Sequence, residues 1–79
     1  MDKIEILNIV KEICSDIFNN ENLDIDSNTN STEINQWDSL NHLNLMSSIE
    51  EEFNIKFDFE EIGSLKNIGD IVKIISEKL

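Results

Sequence analysis

The chain is 79 residues long, with 17 acidic and 6 basic side chains and a formal charge of −11. Nucleic-acid phosphates and anionic membrane surfaces repel such a charge, and basic partner surfaces attract it over long range. The length fits a single domain, 1–79, whose core is too small to enclose an elaborate active site.

Cys14 is the only cysteine, so no internal disulfide can form, and no CxxC or Cys/His arrangement suggests zinc. Cys14 reads as a reduced, packed thiol. The opening MDKIEILNIVKEIC is interleaved with charge and does not read as a signal peptide. No apolar run reaches transmembrane length. These features predict a cytoplasmic protein without stable membrane association and without nucleic acid as a partner.

Helical periodicity covers residues 2 to 18. Ile6, Val10, Ile13 and Ile17 form a stripe that Leu7 and Cys14 widen, and Asn19 and Asn20 end it. Residues 19 to 38 are dominated by Asn, Ser, Thr and Asp, whose side chains compete with the backbone for hydrogen bonds and predict a long loop. Leu23, Ile25 and Ile34 are expected to pin that loop to the core. A second helix is expected over 39 to 54, with Leu43, Met46, Ile49 and Phe53 as its stripe and Leu40, Leu45 and Ile55 in support. Phe57, Phe59, Ile62 and Leu65 mark a short apolar set, where Gly63 can close a brief helical turn. A last helix is expected over 67 to 78, with Ile68, Ile71, Val72, Ile75 and Leu79 on one side. The fold class is all-α, a bundle of three main helices plus one short helix, with a long first loop.

Several patterns suggest chemistry. Asp24, Asp26, Asn28 and Asn30 alternate like the start of a calcium loop, but Thr29 replaces the glycine of the sharp turn and Asn35 the bidentate glutamate. A solvated polar loop is the expectation. Asn30-Ser31-Thr32 matches a glycosylation sequon by chance composition. His42 shares a helical face with Ser39, yet no third group to orient the imidazole is evident. An exposed polar histidine is expected, not a catalytic pair. Between Asp38 and Glu61 the carboxylates outnumber the single Lys56, which reads as a docking surface for a basic partner.

Asp38-Ser39 precedes an apolar-periodic run, so either residue suits an N-cap. The start of a helix is also where backbone N–H groups favour a phosphate, and Ser39 follows a long loop that leaves it accessible.

Here the sequence resembles the acyl carrier proteins. Asp38-Ser39-Leu40 is followed by HLNLMSSIEEEFNIKF (42 to 57), where Leu43, Leu45, Ile49, Glu50, Glu52, Phe53 and Ile55 fit the family pattern. SLKNIGDIVKII (64 to 75) resembles the family's last helix, and size, acidity and helix order agree along the whole chain. The resemblance implies that Ser39 is esterified with 4′-phosphopantetheine, donated by coenzyme A through a separate phosphopantetheinyl transferase. It implies a carrier and not an enzyme, holding acyl groups as thioesters for acyl-loading and acyl-transferring enzymes with basic docking surfaces, and working as a monomer. Gln36 stands where many members have glycine, Trp37 where a small residue is common, and Asn41 and Asn44 at positions often acidic in fatty-acid carriers. These departures tilt the expectation from fatty-acid synthesis towards a specialised pathway (polyketide, nonribosomal or surface-glycan). The rival expectation is a small acidic interaction module with no prosthetic group, in which Ser39 only caps a helix.

Overall fold

The computed structural model describes residues 1–20 and 24–79. Among these residues four α-helices follow one another: α1 (Lys3–Phe18), α2 (Ser39–Phe53), α3 (Phe59–Ser64) and α4 (Ile68–Lys78). α1 packs against both α2 and α4. Among the described residues there is no β-strand, only an isolated bridge between Asn30 and Asn67.

Each helix starts on a side chain that accepts an otherwise orphaned backbone N–H: Asp2, Asp38, Asp58 and Asn67 in turn. At Asp58 the arrangement is reciprocal, because Glu61 also accepts from the Asp58 N–H. Two helices end on asparagines in the left-handed region, Asn19 (φ 52°) and Asn54 (φ 55°). Asparagine tolerates that region better than other side chains with a Cβ. The caps therefore bring each helix boundary within a residue of the periodicity.

The core is built by Ile6, Val10, Cys14 and Phe18 of α1, by Leu45, Met46, Ile49 and Phe53 of α2, and by Ile68, Ile71, Val72 and Ile75 of α4. Burying each large aliphatic side chain contributes roughly 1.5–3 kcal/mol. The face of α1 runs along Val10, Cys14 and Phe18, so Ile13 and Ile17 end on its half-buried flank. On α2 the expected stripe is displaced: Leu40 and Leu43 are exposed, and His42 takes the inward position instead. Leu79 is also exposed, at the C-cap of α4.

The described part of the long loop, from residue 24 on, is irregular, as its composition predicts, and it is fastened to α4. Ile68 and Gly69 donate backbone hydrogen bonds to Thr29 and Ser27, and Ser31 donates to Lys66. Ile25 and Ile34 are buried, as expected of loop anchors, whereas Leu23 lies outside the described residues. The Asp26 carboxylate accepts from the Asn28 N–H and the Thr29 hydroxyl, closing a local turn. Its oxygens serve the loop itself, and the described residues contain no cluster suited to a metal ion.

Candidate functional site

The loop reaches α2 through Trp37, Asp38 and Ser39. The Trp37 N–H donates to the Ile34 carbonyl, and the Asn41 side chain donates to the Gln36 carbonyl at 2.8 Å. Asp38, in extended backbone, accepts from the Asn41 N–H at 2.9 Å and is the N-cap. The capping role that sequence left open between Asp38 and Ser39 thus falls to Asp38. Ser39 becomes the first helical residue. It is exposed, and its hydroxyl makes no hydrogen bond among the described residues.

His42 corrects the expectation of an exposed histidine. It is only 9 % exposed. Its Nδ1 accepts from the Trp37 indole N–H at 2.9 Å, and its Nε2 donates to the Ile62 carbonyl at 2.6 Å. A carbonyl can only accept and an indole can only donate, so the imidazole is the neutral tautomer with its proton on Nε2. Both ring nitrogens are occupied, and neither is available to take a proton from Ser39. The signal sequence reasoning missed was the pairing of a lone tryptophan with a lone histidine one helical turn into α2. Each supplies the polar partner that lets the other be buried.

Trp37 is 5 % exposed, and its ring lies 5.8 Å from that of Phe18 on α1, centroid to centroid. It anchors the loop end to the bundle. It also lines an open groove of about 580 Å³ between α2 and α3, together with Ser39, Leu43, Phe59, Ile62 and Lys66. Leu43 and Phe59 present apolar surface there, Phe59 being 91 % exposed.

The acidic run divides once the structure is known. Asp38, Asp58 and Glu61 are caps, and Glu50 accepts from the Phe57 N–H at 2.8 Å, closing the turn after α2. Glu61 also pairs with Lys78 at 3.2 Å. Glu51, Glu52 and Glu60 remain as exposed acidic side chains. A good part of the charge therefore holds the fold, and the remainder faces solvent.

The phosphopantetheine attachment site family matches residues 8–75. The chain is 38 % identical over 74 residues to an acyl carrier protein homolog of Mycoplasma genitalium, covering 91 % of this chain and 86 % of that protein. It is 30 % identical over 79 residues to the acyl carrier protein of Petrotoga mobilis, covering 100 % and 93 %. The solution NMR structure of holo acyl carrier protein from Geobacter metallireducens superposes with a TM-score of 0.83 at 33 % identity, over 91 % of this chain and 83 % of that one. The fold and the match together define a phosphopantetheine-dependent carrier. The chain belongs to the acyl carrier protein family.

The local geometry fits the family's covalent cofactor. Ser39 offers an exposed hydroxyl in the first turn of a helix with no acidic residue in that turn, so the helix N-terminus favours a phosphodiester there. The Asp38 carboxylate opposes this, but it is already an acceptor for the Asn41 N–H. Lys66 adds a cation on the same groove.

Proposed function

We propose that Ser39 is the residue that carries 4′-phosphopantetheine, and that the protein holds acyl intermediates as thioesters on that arm and presents them to partner enzymes. The observation that carries this reading is the Ser39 hydroxyl: exposed, unbonded among the described residues, held by the Asp38 cap and opening onto the α2–α3 groove. In forming the Oγ–P bond, Ser39 gives up its hydroxyl proton, while the pyrophosphate P–O bond of coenzyme A breaks and adenosine 3′,5′-bisphosphate leaves. The base that takes the proton comes from the phosphopantetheinyl transferase, since His42 is committed to Trp37 and Ile62. Partners dock on the exposed part of α2 around Leu40, Leu43 and Asn44, with Glu51 and Glu52 further along the helix. Their complementary surfaces are basic with an apolar centre. The protein works as a monomer in the cytoplasm, and no helix among the described residues is long and apolar enough to cross a membrane. Asn41 and Asn44 leave the start of α2 without carboxylates beyond the Asp38 cap, which favours a dedicated specialised pathway over general fatty-acid synthesis.

The test is intact mass after incubation with coenzyme A, magnesium and a broad-specificity phosphopantetheinyl transferase. The wild type should gain one phosphopantetheine and Ser39→Ala none. Addition to the Ser39→Ala variant would remove Ser39 from the role.

A further inference from the structure

Resting on Ser39 as the attachment residue, we propose that Asn41 is a positioning residue for phosphopantetheine transfer. Its side chain clasps the end of the long loop to α2 across Ser39 and so fixes where the serine hydroxyl is presented.

Asn41 makes two hydrogen bonds back over the segment that carries Ser39. Its backbone N–H donates to the Asp38 carboxylate at 2.9 Å, and its side-chain Nδ2 donates to the Gln36 carbonyl at 2.8 Å. The first bond is the helix cap. The second does nothing for the orphaned N–H groups of the helix start; it spends a side-chain donor on a backbone carbonyl that lies before the helix begins. A carbonyl only accepts, so the amide nitrogen of Asn41 must face Gln36. Its Oδ1 is left towards the Asn44 amide, at 3.4 Å.

Ser39 lies inside this clasp. On the loop side, the Trp37 N–H donates to the Ile34 carbonyl, and on the helix side the His42 N–H donates to the Asp38 carbonyl. The Ser39 hydroxyl is exposed and unbonded among the described residues, so its place is set by the backbone on either side of it. In the transfer, Ser39 Oγ must meet the phosphorus in line with the departing adenosine 3′,5′-bisphosphate, and a displacement of about 1 Å lowers such a rate steeply. Loss of the Gln36 bond leaves the Asp38 cap in place and frees only the loop end. The position also calls for an amide. An aspartate at 41 has no donor and would set a negative oxygen against the Gln36 carbonyl.

The experiment follows transfer from coenzyme A, with magnesium and a broad-specificity phosphopantetheinyl transferase in excess, by quenched intact mass. Single turnover removes product release from the rate. In Asn41→Ala the maximal rate should fall about three- to tenfold, the population lost with one neutral hydrogen bond, while the half-saturating transferase concentration stays within about twofold. Backbone ¹⁵N relaxation should show the amides of Trp37, Asp38 and Ser39 gaining motion in the same variant. Asp2→Ala, which loses the cap of α1, should lower the melting temperature and leave the rate alone, separating positioning from stability. Asn41→Asp keeps the shape without the donor and should lose rate as Asn41→Ala does; it also serves should Asn41→Ala not fold. Faster transfer or tighter half-saturation in Asn41→Asp would mean that charge at 41 acts on the transferase directly, and would overturn the inference. So would an unchanged maximal rate in either variant, or a lost rate with residues 37 to 39 as rigid as in wild type. Failure of the wild type to load, judged against Ser39→Ala, is a separate outcome that removes the attachment residue and the inference with it.

Discussion

The indole N–H of Trp37 donates to His42 Nδ1 at 2.9 Å, joining the end of the long loop to the second turn's approach on α2. His42 passes the connection on to α3 through the Ile62 carbonyl. Loop, α2 and α3 therefore meet at one buried polar chain beside Ser39. Removing one partner strands the other: Trp37→Phe leaves His42 Nδ1 unsatisfied and should cost about 1–3 kcal/mol. His42→Leu strands the indole N–H at a similar cost. The double variant removes both partners, so its loss should fall well short of the sum. Chemical denaturation of the four proteins checks this, and strict additivity would show that the bond contributes nothing of its own.

Asp38 and Ser39 are neighbours with separable roles. Asp38→Ala should cost about 1 kcal/mol of stability by losing the cap on the Asn41 N–H, and still accept phosphopantetheine. Ser39→Ala should keep the melting temperature within a degree or two and lose modification entirely, since a surface substitution without a bonded partner lies within about 0.5 kcal/mol. Paired melting and intact-mass measurements separate the two roles. Equal destabilisation by both would return Ser39 to being a structural residue.

The two glycines should respond with opposite signs. A Cβ on Gly69 would sit 2.7 Å from the Ser27 carbonyl oxygen, which is also the acceptor of the Gly69 N–H. That clash is with backbone and cannot be relieved by a rotamer, so Gly69→Ala should destabilise by about 1–3 kcal/mol, outweighing the ~1 kcal/mol of helix propensity gained. Gly63 sits inside α3 with nothing within 4 Å of its added Cβ. Gly63→Ala should therefore stabilise by about 0.5–1 kcal/mol. Thermal melts of both variants test the pair.

Cys14 is fully buried, and burial pushes its thiol from 9.0 up to about 12. The neutral thiol should resist iodoacetamide at pH 8 in the native protein and react once the chain is denatured. The folded state holds the proton more tightly than the unfolded one, so this group's contribution to stability is complete below pH 9 and declines as pH rises towards 12. Cys14→Val should flatten that alkaline decline. An unchanged decline would assign it to the lysines instead.

The net charge of −11 gives a prediction about partners. Binding to the transferase should weaken as salt rises from about 50 to 500 mM, mainly through a slower association rate, because screening shortens the reach of surface charge. Magnesium should raise the melting temperature modestly by screening the exposed carboxylates. A flat salt response in surface plasmon resonance would mean that the apolar residues of α2 dominate docking.

The helices were legible in the chain because capping and periodicity are local properties. Asp2, Asp38, Asp58 and Asn67 each bond within their own first turn, and Asn19 and Asn54 close their own last turn. The family pattern around Asp38-Ser39-Leu40 was legible for the same reason, being carried by contiguous residues. What sequence could not decide was which side of α2 faces inward. Leu40, Leu43 and Leu45 are chemically equivalent in the chain, yet only Leu45 is buried. His42 enters the core because Trp37 and the Ile62 carbonyl happen to complete its hydrogen bonds, and that pairing exists only once α3 has folded back over α2. The division of the carboxylates is tertiary as well. Glu50 and Glu61 read as surface charge until the Phe57 N–H and Lys78 are brought to them. Sequence determined the elements and the Asp38-Ser39-Leu40 pattern that resembles the family. Folding alone determined that Ser39 shares a groove with the buried Trp37 and His42, because a buried polar group is admitted only where distant residues supply its partners.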